Sequence, residues 1–352
     1  NPRGVLIPSP KSSGGLPTVV FVVVPAPLGG SNRSMYTVLG TLGGRVHRVL
    51  ASPPLGDFRE LIEREGLADE YIDLPRKPGA IVDRLLRIFS GFKIAWFVLR
   101  NRGRVKAIHA NALTGLNMST PAAFLSRKKT VVWIHDPVGS AWGERLGPII
   151  RRLLPGLEIA AVSTTAESVA VGNGLCSPGD AHIVPNPIDP AEVLGSGDPS
   201  EDVVRVGVLG GSSYRKGFDM LPEVIERLSS RPVTWRLHVS SKVVEAGMEE
   251  AWQAIRAHDP STVNNVGKVV DVSEAYAQLD IVFCPSRQES FCRVAAEAML
   301  NGIPVVGSDI PPLRDLLGED EAGILFPVGD IGAAADALGR LVDDAELRAS
   351  LG

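Results

Sequence analysis

Cysteine is scarce in this 352-residue chain: Cys176, Cys284 and Cys292 are three, odd in number and far apart in sequence. They form no CxxC pair and no His/Cys ligand spacing, which argues against a disulfide framework and against a zinc site. A reducing cytoplasm is the expected compartment. A charge excess is also missing. The net charge of −4 gives no global basis for binding nucleic acid. No apolar run approaches the length needed to span a bilayer. Val19–Val24 is only strand length, and the Pro8–Pro17 stretch before it lacks the apolar core of a signal peptide. The chain begins at Asn1 rather than Met, so a soluble protein trimmed at its ends is expected. Gly207-Val-Leu-Gly-Gly-Ser lacks the GxGxxG spacing of dinucleotide binding, and there is no GxxxxGK[ST] phosphate loop. No convincing Asp-x-Asp closes a strand, so no metal or other cofactor is expected.

What is present is an ordinary globular composition, 44% hydrophobic and 22% charged, long enough for two domains. Short apolar runs alternate with helical stretches. Thr18–Val24 reads as a strand, followed by a turn through Gly29-Gly30-Ser31 and a helix near Asn32–Leu42. Val46–Ala51, Ala107–Asn111, Thr130–His135 and Ile159–Ser163 read as further strands. The pattern restarts at Val203–Leu209, with a turn through Gly210-Gly-Ser-Ser-Tyr-Arg-Lys-Gly217 and a helix near Phe218–Leu228. Thr234–Ser240, Val263–Gly267, Ile281–Cys284, Pro304–Gly307 and Gly323–Phe326 continue it. Continuous apolar strands separated by helices predict parallel sheets covered on both faces. Pro185–Pro190 and the Gly/Ser-rich Gly195–Ser200 read as the link between two doubly wound domains, residues 1–188 and 189–352. Domains of that kind would face each other across a cleft at the carboxyl ends of their strands.

The most informative segment is Pro285-Ser-Arg-Gln-Glu289-Ser-Phe-Cys-Arg-Val-Ala-Ala-Glu297. Its two glutamates are eight positions apart, within about 80° of each other on a continuous helix. The first is expected in the loop just before the helix, near its positive end. Alone, such a pair reads as two solvated positions on an amphipathic helix. It is accompanied, in order along the chain, by Gly29-Gly30-Ser31, by Ile108-His-Ala-Asn111 and Trp133-Ile-His-Asp136, by Val184-Pro-Asn-Pro-Ile-Asp189, by Arg215-Lys216-Gly217 and by Asn301-Gly-Ile-Pro-Val-Val306. Together these motifs resemble the retaining GT-B glycosyltransferases of the GT4 type (glycosyl transferases group 1), over nearly the whole chain.

That resemblance implies an α/β fold of two Rossmann-like domains and a metal-independent hexosyl transfer. The sugar would move from a nucleoside diphosphate, of UDP or GDP type, to a hydroxyl of a glycan, lipid-linked or natural-product acceptor. It implies roles for particular residues. Lys216, with Arg215, would stabilise the departing diphosphate; Glu289 would hold the sugar hydroxyls and Glu297 the ribose. Phe291, Cys292 and Arg293 would offer backbone N–H groups, and His135 would contact the sugar from the N-terminal domain. Gly29, Gly30 and Gly210 would let the backbone approach the ligand. His109 would support the site indirectly, and Asp136 would orient His135 or cap the next helix.

The sequence also departs from the family. Gly211 follows Gly210 where an arginine is usual, Ser290 and Cys292 replace two glycines, and Leu338–Leu351 lies where relatives continue into a long returning helix. These departures keep open a non-catalytic sugar-nucleotide-binding subunit, beside an inverting GT-B transferase or a sugar-nucleotide epimerase. The segment Ile81–Arg100 is apolar on a wide face and flanked by Arg84, Arg87, Lys93, Arg100, Arg102, Arg104 and Lys106, with only Asp83 opposing. Peripheral contact with an anionic membrane fits that composition. The reading preferred from the sequence is a helix packed on its sheet with the arginines in water.

Overall fold

The computed structural model describes residues 15–24, 29–75, 80–135, 141–189, 203–239, 245–267, 272–318 and 322–352, with the backbone alone at 80–85 and 141–144. Asp136 and the Gly195–Ser200 link lie outside the described residues. Close contacts divide the chain into Asn1–Pro187 and Ile188–Gly352.

The first unit is built on a seven-stranded sheet: β1 (Thr18–Val23), β2 (His47–Ser52), β3 (Glu70–Asp73), β4 (Val105–Asn111), β5 (Lys129–Ile134), β6 (Leu157–Ala161) and β7 (His182–Ile183). The strand order is β3-β2-β1-β4-β5-β6-β7, and every pairing is parallel. Parallel neighbours require crossovers, and the helices between strands supply them. Val20, Val22, Val49, Ile108, Val132 and Ile134 are fully buried, as expected for strands covered on both faces. β3 and β7 were not read from the sequence. They are short, they sit at the sheet edges, and they carry half-exposed or exposed side chains in place of an apolar run.

The second unit repeats the plan with six strands: β8 (Val204–Gly210), β9 (Val233–Val239), β10 (Val263–Asn265), β11 (Ile281–Cys284), β12 (Val305–Ser308) and β13 (Gly323–Phe326). Their order is β10-β9-β8-β11-β12-β13, again with parallel pairing throughout. Alternation along one strand divides its core. Ile281 and Phe283 point into a cluster with Trp235 and Phe326, whereas Val282 and Cys284 point to the opposite cluster with Ala295 and Leu313. In each unit the direction of winding reverses once, between β1 and β4 and between β8 and β11. The carboxyl ends of those strands are where a ligand crevice opens in such sheets.

Helix ends shift slightly from the expectations. The first helix begins at Gly30, and the stretch after Gly217 is a 3-10 turn, Phe218–Met220, before an α-helix at Leu221–Arg227. Pro222 sits in that helix's first turn, where its missing N–H costs nothing. The helix Ala80–Arg100 meets a second expectation in part. It buries Ser90, Ile94, Ala95, Phe97 and Val98, but Ile88, Phe89, Phe92, Trp96 and Leu99 are exposed. Core packing therefore accounts for one side of this helix only.

Trp235 is 1% exposed, with its ring edge-on to Phe283 at 6.3 Å. Trp235→Ala should destabilise the protein by about 3–5 kcal/mol. A urea titration showing a loss below about 1 kcal/mol would contradict this account of the second core.

Candidate functional site

At the winding reversal of the second unit two loops meet. One leaves β8 through Gly210 and Gly211 and forms a short 3-10 turn, Tyr214–Lys216, capped by Ser213, whose side chain accepts from the Lys216 N–H. The other leaves β11 through Pro285 and Ser286 and reaches Glu289 before the helix Arg293–Leu300 begins. Gly217 joins them closely. Its φ is +69°, and a Cβ there would lie 2.0 Å from the Pro285 carbonyl oxygen. Only glycine permits both the left-handed backbone and that approach. The Arg287 N–H donates to the Arg215 carbonyl at 2.8 Å, and the Arg287 guanidinium forks onto Asp219 at 2.7 and 2.8 Å.

This junction brings Lys216 and Glu289, 73 residues apart in sequence, into a direct ion pair. The Ser286 hydroxyl also donates to Glu289, at 2.8 Å. Arg215 lies 3.7 Å from the second carboxylate oxygen and donates to the Gln288 carbonyl at 2.9 Å. Burial would lower the Lys216 pKa, but the Glu289 charge and hydrogen bond, together with Cys292, more than offset it and hold the ammonium above its ordinary value. Lys216 is therefore a fixed cation at neutral pH. A small pocket beside the pair is walled by Leu209, Gly211, Phe283, Pro285 and Val294. Gly210, at φ +131°, leaves the space next to it open. A Cβ at Gly210 would meet only the Lys216 Cε, at 3.9 Å, and one at Gly211 would meet nothing within 4 Å.

The second glutamate is placed differently. Glu297 lies in the helix proper, 4% exposed, ion-paired with Arg293 and accepting from the Tyr276 hydroxyl at 2.8 Å. Burial, and then the Glu297 charge, push the Tyr276 phenol well above its usual range, so it stays a donor. The Arg293 side chain is thus held inside the helix–sheet layer. Phe291 is half-buried. Cys292 is buried with φ +62°, a left-handed conformation at a position where the resembled family carries glycine. The structure also brings together Cys284 and Cys292, eight residues apart in sequence. A hydrogen bond with Cys292, together with burial, drives the Cys284 thiol well above its normal pKa. Both thiols are free, and Cys284 is an inert one.

In the first unit, Gly29 precedes the helix Gly30–Thr41 in extended backbone, and its carbonyl accepts from the Asn32 and Arg33 N–H groups. A Cβ at Gly30 would meet nothing within 4 Å, so neither crowding nor φ demands glycine there. His135 follows β5 directly. Its ring lies 4.4 Å from that of Trp133, whose indole N–H donates to the Val184 carbonyl at 3.0 Å. Trp133 in turn meets His109 edge-on, and His109 faces Phe21. Val184 and Asn186 lie beside this group, with Ser34 donating to the Asn186 side chain at 2.9 Å. Burial, followed by the nearby His109 charge, lowers the His135 pKa to about 3, against a hydrogen bond with Asn186 that opposes the shift. Burial alone lowers His109 to about 4. Both imidazoles are neutral at pH 7.

Sequence reasoning did not single out Ser286, Tyr276, Arg287, Pro285 or Asn186 as partners of the site residues. Pro285, Ser286 and Arg287 lay within the quoted segment without marking themselves. Tyr276 sits on a separate short helix, Val272–Tyr276, and nothing in its spacing to Glu297 announces the contact.

Two outcomes follow from this geometry. Gly217→Ala should cost several kcal/mol, because it combines backbone strain with a clash against backbone, and should lower the melting temperature clearly. An unchanged Tm would mean that the two loops are not coupled. The histidines give a pH signature. Their native pKa values lie below the unfolded value of about 6.5, so below that pH the unfolded chain binds protons that the native chain refuses. Stability should fall as pH drops from about 6.5 toward 4, by up to about 1.4 kcal/mol per pH unit for each such histidine. His135→Gln should lose about 2 kcal/mol less than the parent between pH 7.5 and 5. Equal losses in chemical denaturation would refute the buried neutral state of His135.

Residues 201–344 match the family model described as glycosyl transferases group 1. Among curated proteins, the chain is 29% identical over 156 residues to the lipopolysaccharide core biosynthesis mannosyltransferase LpsB of Rhizobium meliloti, covering 42% of this chain and 43% of that protein. It is 30% identical over 205 residues to the 2-deoxystreptamine N-acetyl-D-glucosaminyltransferase of Streptomyces fradiae, covering 57% of this chain and 46% of that one. The chain thus spans less than half the length of these relatives. Among solved structures, Anabaena HepE in complex with UDP superposes with a TM-score of 0.75 at 20% identity, covering 95% of this chain and 92% of that one. The chain has the GT-B fold, two parallel-sheet α/β units, and residues 201–344 of its second unit match the glycosyl transferases group 1 model.

Proposed function

We propose that this chain is a retaining glycosyltransferase that moves a sugar from a nucleoside-diphosphate donor, UDP or GDP type, to an acceptor hydroxyl. The observation that carries the reading is the Lys216–Glu289 pair, with Arg215 beside it, at the winding reversal of a sheet whose segment matches a glycosyltransferase family. Cation and carboxylate satisfy each other in this structure. A nucleotide sugar offers each a better partner: diphosphate oxygens for the ammonium, sugar hydroxyls for the carboxylate. Glu289 is 8% exposed, so its position is set before any ligand arrives.

In this reading the C1–O bond to the diphosphate breaks as the bond from C1 to the acceptor oxygen forms on the same face. The acceptor proton passes to the departing phosphate oxygen. Lys216 and Arg215 balance the charge that grows on the diphosphate, and side chains supply this counter-charge without a metal. Neutral His135 serves as a hydrogen-bond partner for a sugar hydroxyl and not as a cation. Glu297, positioned by Tyr276 and Arg293, takes the ribose hydroxyls. UDP in the HepE complex and the transferase names of the relatives support the donor class. The acceptor is a glycan, a lipid-linked glycan or a natural product.

The test combines binding and turnover. A thermal-shift screen without added metal should show saturable stabilisation by sugars on one nucleoside diphosphate among UDP, GDP, ADP and TDP. Lys216→Gln should reduce kcat/KM by about 10²–10³-fold, with Glu289→Gln comparably impaired. Removing one member of a buried pair strands the other and costs about 3–5 kcal/mol, so circular dichroism must accompany each assay. The double variant Lys216→Met/Glu289→Leu should recover part of that stability while staying inactive. Near-parental turnover in either folded single variant would end the assignment. Donor binding with neither transfer nor hydrolysis would favour a binding subunit, and NMR of the product anomer decides retention.

A further inference from the structure

From Arg84 through His135 the sequence contains no Asp or Glu but ten Lys and Arg, in a chain that otherwise carries 40 acids. This stretch includes all but the first turn of the helix Ala80–Arg100, which also holds Asp83, and the exposed side of that helix carries an unusual set of residues. Ile88, Phe89, Phe92, Trp96 and Leu99 are 56, 59, 60, 61 and 40% exposed. At 100° per residue the five fall within an arc of about 100°, opposite the side that buries Ile94, Phe97 and Val98. Single exposed apolar residues are ordinary; a continuous stripe of five large ones, three of them aromatic, is a contact surface.

The neighbouring helix, Ala112–Ser126, extends the face. The two helices pack tightly at Gly91, where a Cβ would come within 3.2 Å of the Met118 carbonyl and the Pro121 ring. Leu125, one turn beyond Pro121 on the same side, is 50% exposed. Cations border the stripe. Arg100 stacks 5.4 Å over the Trp96 ring, Lys93 reaches the Asp73 carbonyl at 2.5 Å, and Arg102 and Arg127 are exposed. Some cations nearby are engaged in surface ion pairs, as in Arg104–Glu70 and Lys129–Glu158.

We propose that this face docks on an anionic lipid surface, with Phe89, Phe92 and Trp96 entering the headgroup layer and the bordering arginines and lysines meeting lipid phosphates. The charge pattern selects that occupant. A second copy of the chain would bring the same predominantly basic border against itself, whereas an anionic bilayer complements it. Aromatic and leucine side chains rimmed by Arg and Lys are the composition of helices that lie in the interface. Among the described residues no helix is long and apolar enough to cross a membrane, so the contact is peripheral. The inference stands apart from the transferase reading, because no residue of the Lys216–Glu289 site takes part in it.

The test is co-sedimentation of the full chain with vesicles of phosphatidylcholine alone, or containing about a third phosphatidylglycerol. Binding is expected to the anionic vesicles, at least tenfold above the neutral ones, and to weaken as salt rises. Phe89→Ser/Phe92→Ser/Trp96→Ser should drop it to background with an unchanged urea midpoint, since all three side chains already face water. Arg100→Glu should weaken it several-fold. Absence of binding by the parent chain, or equal binding by the triple variant, overturns the proposal. A dimer in sedimentation velocity that the triple variant dissolves, without vesicle binding, would assign the face to a second copy instead.

Discussion

The close approach of Gly217 to Pro285 is the constraint on which the second unit's site depends. Two loops that leave different strands can share one ligand only if their backbones nearly touch, and here no side-chain carbon separates them. With that contact made, the Lys216 ammonium arrives at Glu289, and Ser286 and Arg215 complete the carboxylate's surroundings. The Arg287–Asp219 fork and the Arg287–Tyr214 stacking lock the same junction from its other side. The pair thus acts as a joint in the fold as well as a site. Any ligand that engages both partners must give back what the joint loses.

The two glutamates, similar in sequence, have different physical situations. Glu289 stands before the helix, facing a cation and the open space beside Gly210 and Gly211. Glu297 stands within the helix, closed in by Arg293 and Tyr276. Their eight-residue spacing showed that both lie near the helix start, and the placement of Glu289 before the first turn agrees with the expectation. It did not show that one carboxylate would pair with a cation from another loop while the other is held by its own helix and a tyrosine. Desolvation and local partners make that difference. The same holds for Cys292, which takes a left-handed backbone at a small energetic cost while its thiol fills space next to Cys284.

The helix Ala80–Arg100 shows where pattern reading misleads. The sequence-based preference took the apolar face of this helix as its packed side, with the arginines in water. One side is packed against the neighbouring helix, and the other carries large apolar residues that are open, with a basic border. Spacing identifies an apolar arc without revealing what covers it.

The sequence by itself determined the alternation of strand and helix, because β-branched runs buried on both faces leave a clear signature. It also marked the glycine turn before Lys216, the placement of Glu289 ahead of its helix, and His135 at a strand end, because short motifs are local. The edge strands β3 and β7 escaped it, since a strand with one free edge needs no apolar run. Tertiary structure alone decided the Lys216–Glu289 and Tyr276–Glu297 partnerships, the joining of Cys284 to Cys292, and the neutral state of His135 and His109. The first two depend on contacts between segments 73 and 21 residues apart, and the others on the packing and the excluded water around a side chain. Local sequence specifies which elements form, but the order in which parallel strands pair specifies which loops become neighbours.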